Sequence, residues 1–116
     1  MVRSDIILVA APDAGFRRSL AFALDSAGFT AAAYMRAGDA FASCDARVAA
    51  CAVIDDDAVD DWNLASAQFD EFARPVILLV GLFRAVPALP FARHVMKPFL
   101  GEPLIEAVRA AVAGLG

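Results

Sequence analysis

At 116 residues the chain has the size of one ordinary domain, and we expect a single domain over residues 1–116. Hydrophobic residues make up 60% of it, but much of the excess is alanine, and the longest apolar run, residues 76–83, is far short of the ~20 residues that cross a bilayer. A net charge of −4 without a basic cluster excludes the electrostatic footprint of a nucleic-acid binder, and no membrane partner is expected. No signal-peptide layout precedes Asp5, so a cytoplasmic location is expected. Cys44 and Cys51 match neither a disulfide framework nor a metal-site spacing and are expected to be buried free thiols.

Residues 5–10 form a short apolar run, expected as a fully buried strand. Pro12 and Asp13 end it, and Asp13 suits the N-cap of the helix that follows. Phe16, Leu20, Leu24 and Ala27 recur there at helical spacing, and Gly28 is its expected stop. Residues 30–34 form a second strand with a weak signal, because its middle is alanine. Residues 37–43 suit a short helix. Residues 48–55 form the third strand, which ends in Asp55-Asp56-Asp57. Asp60 or Asp61 can cap a third helix, with Leu64, Ala65, Phe69 and Phe72 on its apolar side. Arg74-Pro75 ends it, because the residue before proline avoids helical angles. Residues 76–80 form the fourth strand. Residues 81–93 contain Pro87 and Pro90 and are poor helix material. Residues 94–96 form a short fifth strand. A last helix runs over about residues 102–113, with Pro103 in its first turn and Leu104, Ile105, Val108 and Val112 facing inward.

Strands and helices thus alternate, and the strands are too apolar to have a wet face. That pattern predicts an α/β fold, a parallel sheet covered by helices on both sides. Such sheets bind ligands at the carboxyl ends of their strands. Asp13, Asp55 and Lys97 all fall at or just after such ends.

The matching pieces are the Ile7-Leu8-Val9 strand with Phe16-Arg17-Arg18 after it, Gly28-Phe29, the strand ending in Asp55, Pro75-Val76-Ile77, and Lys97-Pro98-Phe99. In that order and spacing they resemble a CheY-like response-regulator receiver domain over nearly the whole chain. The resemblance implies a doubly wound five-stranded sheet of flavodoxin type, in order 2-1-3-4-5. It implies two-component signalling, with Asp55 as phosphoacceptor position and Lys97 as its partner. It implies a histidine kinase or an output protein as partner, and a homodimer in some relatives. It places switch positions on Val80, where relatives carry Thr or Ser, and on His94, where relatives carry an aromatic. The Lys97-Pro98 bond would usually be cis.

The chain departs from the family where Mg²⁺ should bind. The acidic pair after the first strand falls on Ala11 and Pro12, which carry no carboxylate. Asp13, Asp55 and Asp57 remain as ligands, a poor set for an ion that prefers octahedral oxygen. We therefore expect no firmly held cofactor and at most weak Mg²⁺ binding. Val80 has the shape of threonine without its hydroxyl. The family's fourth helix is expected to be shortened or missing, leaving Leu82, Phe83, Leu89 and Phe91 to cover the sheet or meet a partner. Two functional readings follow. One is an atypical receiver that acts by phosphorylation-independent protein–protein interaction and is not an enzyme. The alternative is a working phosphoacceptor with an unusual metal site. Plainer readings stand beside them. The acid run can serve turns and caps and face water, and His94 can be an ordinary packed or surface residue. A doubly wound enzyme lacks support, because no glycine-rich phosphate loop or nucleophile–base pair is present.

Overall fold

The computed structural model describes residues 5–81, 85–97 and 102–115. Five parallel strands, β1 (Ile6–Ala10), β2 (Thr30–Tyr34), β3 (Cys51–Asp55), β4 (Val76–Val80) and β5 (Ala92–Met96), lie in the order β2-β1-β3-β4-β5. The helices are α1 (Ala14–Ser26), α2 (Ala37–Ala42), α3 (Trp62–Phe72) and α4 (Glu102–Leu115). This is the parallel α/β arrangement that the alternation predicts, in the flavodoxin-type order that the resemblance implies.

Period-two alternation sorts the strand side chains onto two faces. Ile7, Val9, Cys51, Val53, Ile77 and Leu79 face one layer, where Leu20 and Leu24 of α1 and Leu104, Val108 and Val112 of α4 close over them. Leu8, Ala52, Ile54, Val76 and Leu78 face the other, covered by Ala37 and Ala40 of α2 and by Ala65, Phe69 and Phe72 of α3. The central strands are therefore dry on both sides, as a parallel sheet requires. Parallel pairing also brings the ends of β1, β3, β4 and β5 to one edge of the domain.

Local chemistry sets the element ends. Asp13 caps α1 through Phe16 N–H, and Gly28 leaves that helix with φ 95°, a value that favours glycine. Of the two candidate caps for α3, Asp61 is the one used: it accepts from Asn63 N–H and Leu64 N–H. α3 stops at Ala73, which adopts the left-handed conformation just ahead of Arg74-Pro75.

Four expectations need correction. The third strand begins at Cys51, not at residue 48, because a 3-10 turn over Cys44–Arg47 holds Val48 in a helical conformation at its end. The fifth strand is longer than expected, starting at Ala92. Leu64 points to solvent, since it lies one residue off the Ala65, Phe69, Phe72 stripe. Cys44 is exposed on the 3-10 turn, and only Cys51 is buried.

The link from β4 to β5 forms no helix among the described residues. Val86 and Leu89 instead lean on the core from a segment without regular structure. Phe91 stays exposed, with a positive φ of 65°. Leu82, Phe83, Pro98 and Phe99, and with them the Lys97-Pro98 bond, lie outside the described residues. Among the described residues no helix is long and apolar enough to cross a membrane.

Candidate functional site

β3 ends in a turn that folds carboxylates back over the sheet edge. Asp55 is the last strand residue and caps a 3-10 turn over Asp56–Ala58; its Oδ1 accepts from Asp57 N–H at 3.1 Å. Asp55 and Asp56 are 3% and 1% exposed, whereas Asp57 is exposed. Buried acids in a dry sheet need partners, since an uncompensated buried charge is strongly destabilising.

Lys97 supplies the partner. Its backbone N–H donates to Val80 C=O at 2.8 Å, extending the β4–β5 ladder by one residue and fixing where its side chain starts. Nζ then reaches Asp55 Oδ1 at 2.6 Å, Asp56 Oδ1 at 2.8 Å and Asp57 Oδ2 at 3.4 Å. It also lies 5.8 Å from the centroid of the Phe16 ring, within range of a cation–π attraction.

The electrostatics split the two buried acids. Burial pushes the Asp55 carboxyl above the usual carboxylate range, and Lys97 offsets only part of that. Burial pushes Asp56 the same way, but Lys97 and the Gly81 N–H, 3.1 Å from Asp56 Oδ2, outweigh it and hold this carboxyl below the usual range. Burial alone would lower the Lys97 pKa, but the hydrogen bonds it donates to both acids overcome that and keep the ammonium charged well above its ordinary range.

The end of β1 is built differently. Ala11 is fully buried, and Pro12 follows it. Asp13 is exposed, and its Oδ2 accepts from Phe16 N–H at 2.8 Å. The Arg17 guanidinium swings back to donate to Ala11 C=O at 2.8 Å and Pro12 C=O at 3.3 Å. A cation of the chain therefore sits on the carbonyls at this strand end.

Of the residues singled out from sequence, the fold brings Asp55, Asp57 and Lys97 together. The three carboxylates of Asp55, Asp56 and Asp57 each offer an oxygen within 4.8 Å of the others, while the Asp13 carboxylate serves its helix cap. Val80 is half-buried beside the cluster and contributes its carbonyl. His94 is exposed on β5, opposite Leu78 of β4. Trp62, the first residue of α3, packs partly buried against the core. Sequence reasoning treated Asp56 only as part of an acid run. Strand alternation does not reach it, because Asp56 begins a 3-10 turn. Gly81 and the 3-10 turn were missed because their roles are carried by backbone groups, and Arg17 because its guanidinium meets backbone carbonyls.

The chain is 36% identical over 114 residues to the transcriptional regulator protein FixT of Rhizobium meliloti (strain 1021), an alignment covering 97% of this chain and 96% of FixT. A response regulator receiver protein from Sinorhizobium medicae superposes with TM-score 0.77 at 20% identity, with 100% of both chains covered. NtrX from Brucella abortus, solved in complex with ATP, superposes with TM-score 0.77 at 21% identity; 94% of this chain matches 26% of NtrX. A comparison with models of known protein families finds no match.

Proposed function

The chain belongs to the response-regulator receiver family, and from that premise we propose that it signals by binding protein partners in a conformation that does not depend on phosphorylation. The partner class is a histidine kinase or an output protein of a two-component system, and the setting is intracellular. The name of FixT, a transcriptional regulator, supports a regulatory role for this chain in place of a catalytic one. A net charge of −4 directs any contact with DNA to a partner.

The observation that carries this reading is Lys97, already bonded to both Asp55 and Asp56 at 2.6 and 2.8 Å. Phosphoryl transfer depends on cations free to neutralise charge on the transferred group. Here the one lysine at the site is shared between two buried carboxylates. The residues also suit Mg²⁺ poorly. Ala11 and Pro12 bring no carboxylate, their carbonyls accept from Arg17, and an ammonium lies among the three acids that remain. Mg²⁺ wants near-octahedral oxygen and surrenders its water reluctantly. A hydrophobic partner would find Phe91 and Met96 exposed at β5, where the link from β4 forms no helix among the described residues.

The alternative is a working phosphoacceptor at Asp55, and one observation favours it: Asp55 stands at the end of β3 with Lys97 in hydrogen-bond contact. Trp62 fluorescence during a Mg²⁺ titration, repeated with beryllofluoride, separates the two. The account expects no saturable change in the wild type. A saturable change that Asp55→Asn abolishes would establish the phosphoacceptor in its place.

A further inference from the structure

Asp56 is the feature that the proposed function leaves unexplained. Its carboxylate is fully enclosed yet uses both oxygens on separate elements: Oδ1 accepts from Lys97 Nζ at 2.8 Å and Oδ2 from Gly81 N–H at 3.1 Å. Gly81 is the first residue after β4, and Val80 before it has no hydroxyl to offer. An ammonium and a backbone N–H converging on one point form an anion site, the kind of donor pair that stabilises phosphoryl oxygens. Any anionic group attached to Asp55 would draw on these same donors. Asp56 is the next residue in the chain, and the 3-10 turn over Asp56–Ala58 holds its carboxylate on them.

We propose that the Asp56 carboxylate is an internal anion that occupies the donors a phosphoryl group on Asp55 would use, and so locks the ends of β3, β4 and β5 in one arrangement. This rests on the phosphorylation-independent reading and supplies its device. The lock is permanent because the anion is the side chain of a residue in the turn itself. It ties Lys97 after β5 to Gly81 after β4, across the strand pair beside the proposed partner face.

The test is amide NMR on the whole chain, with beryllofluoride and Mg²⁺ as the probe. In the wild type, a through-hydrogen-bond coupling between the Gly81 nitrogen and the Asp56 carboxyl carbon is expected, and its absence overturns the proposal without using a variant. Beryllofluoride should leave the wild-type Gly81 resonance in place. In Asp56→Ala, and more weakly in the isosteric Asp56→Asn, it should shift that resonance saturably, with at least a tenfold gain in apparent affinity. Adding Asp55→Asn should remove the gain. Folded Asp56 variants that stay as unresponsive as the wild type overturn the internal-anion proposal while leaving the phosphorylation-independent reading intact. A wild type that responds fully overturns both.

Discussion

The ends of β1 and β3 face the same edge of the sheet and solve opposite problems. β3 delivers two buried carboxylates and must find positive charge for them; Lys97 answers from β5. β1 delivers a buried alanine and a proline, and Arg17 covers their carbonyls. Where an arrangement built for Mg²⁺ would place acids on both strand ends and let the ion join them, this chain places acids on one end and its own cations on both. The difference teaches that the counter-charge at the site comes from the chain itself, one ammonium set against two buried carboxylates. Burying Asp55 and Asp56 is tolerable only because one ammonium serves both, and that sharing leaves it with little to offer an incoming group.

The comparison breaks most severely at Lys97. Lys97→Met leaves two buried carboxylates without a counter-charge, and thermal unfolding at neutral pH should show a loss of about 3–5 kcal/mol. Asp55→Ala should cost less, about 1.5–3 kcal/mol, because Lys97 keeps Asp56. Lys97 is not left unpaired in that variant, since Asp56 still holds it. Equal losses in the two variants would contradict the shared-ammonium picture.

The β1 end can be rebuilt. Pro12→Asp with Arg17→Ala adds a carboxylate and releases the carbonyls of Ala11 and Pro12. Mg²⁺ should then raise the melting temperature of the variant and leave the wild type unchanged. At an ion concentration about tenfold above the dissociation constant, the gain is about 1.4 kcal/mol. A wild type stabilised as much by Mg²⁺ would show that Arg17 is no obstacle.

Cys51 at the start of β3 sharpens the contrast from within the strand, since it is a titratable group buried with no cation bonded to it. Burial pushes its thiol from 9.0 up to about 12. The folded state therefore holds a proton that the unfolded chain releases above pH 9. Stability attributable to this group is intact below pH 9 and falls by up to about 1.4 kcal/mol per pH unit from there toward pH 12. Cys51→Ala should flatten that slope relative to the wild type, with no change in the slope at neutral pH. Identical alkaline slopes in denaturant melts would contradict it.

Much of this was legible in the sequence because strands and caps carry their signals in single residues. Apolar runs ending in Asp55 and Lys97, an aspartate ahead of α1 and a proline after α3 suffice to place the sheet edge. Even the alanine-rich β2 was readable, since it fills the gap between Gly28 and the short α2. What escaped was carried by the backbone. The 3-10 turn over Cys44–Arg47 shortened β3 from its start, and the one over Asp56–Ala58 keeps Asp56 buried beside Asp55 in an acid run that would otherwise face water. No residue type announces such a turn. The second acid on Lys97 and the reach of Arg17 depend on it and on the path of α1, and neither is encoded in spacing alone.

The most direct measurement is the intact mass of the folded protein after incubation with acetyl phosphate and Mg²⁺, beside Asp55→Asn. The account predicts an unchanged mass for both, with Lys97 still held by Asp55 and Asp56. A stoichiometric phosphoryl adduct on the wild type that Asp55→Asn abolishes would contradict it, and would make this chain a phosphoacceptor that works without an acidic pair on β1.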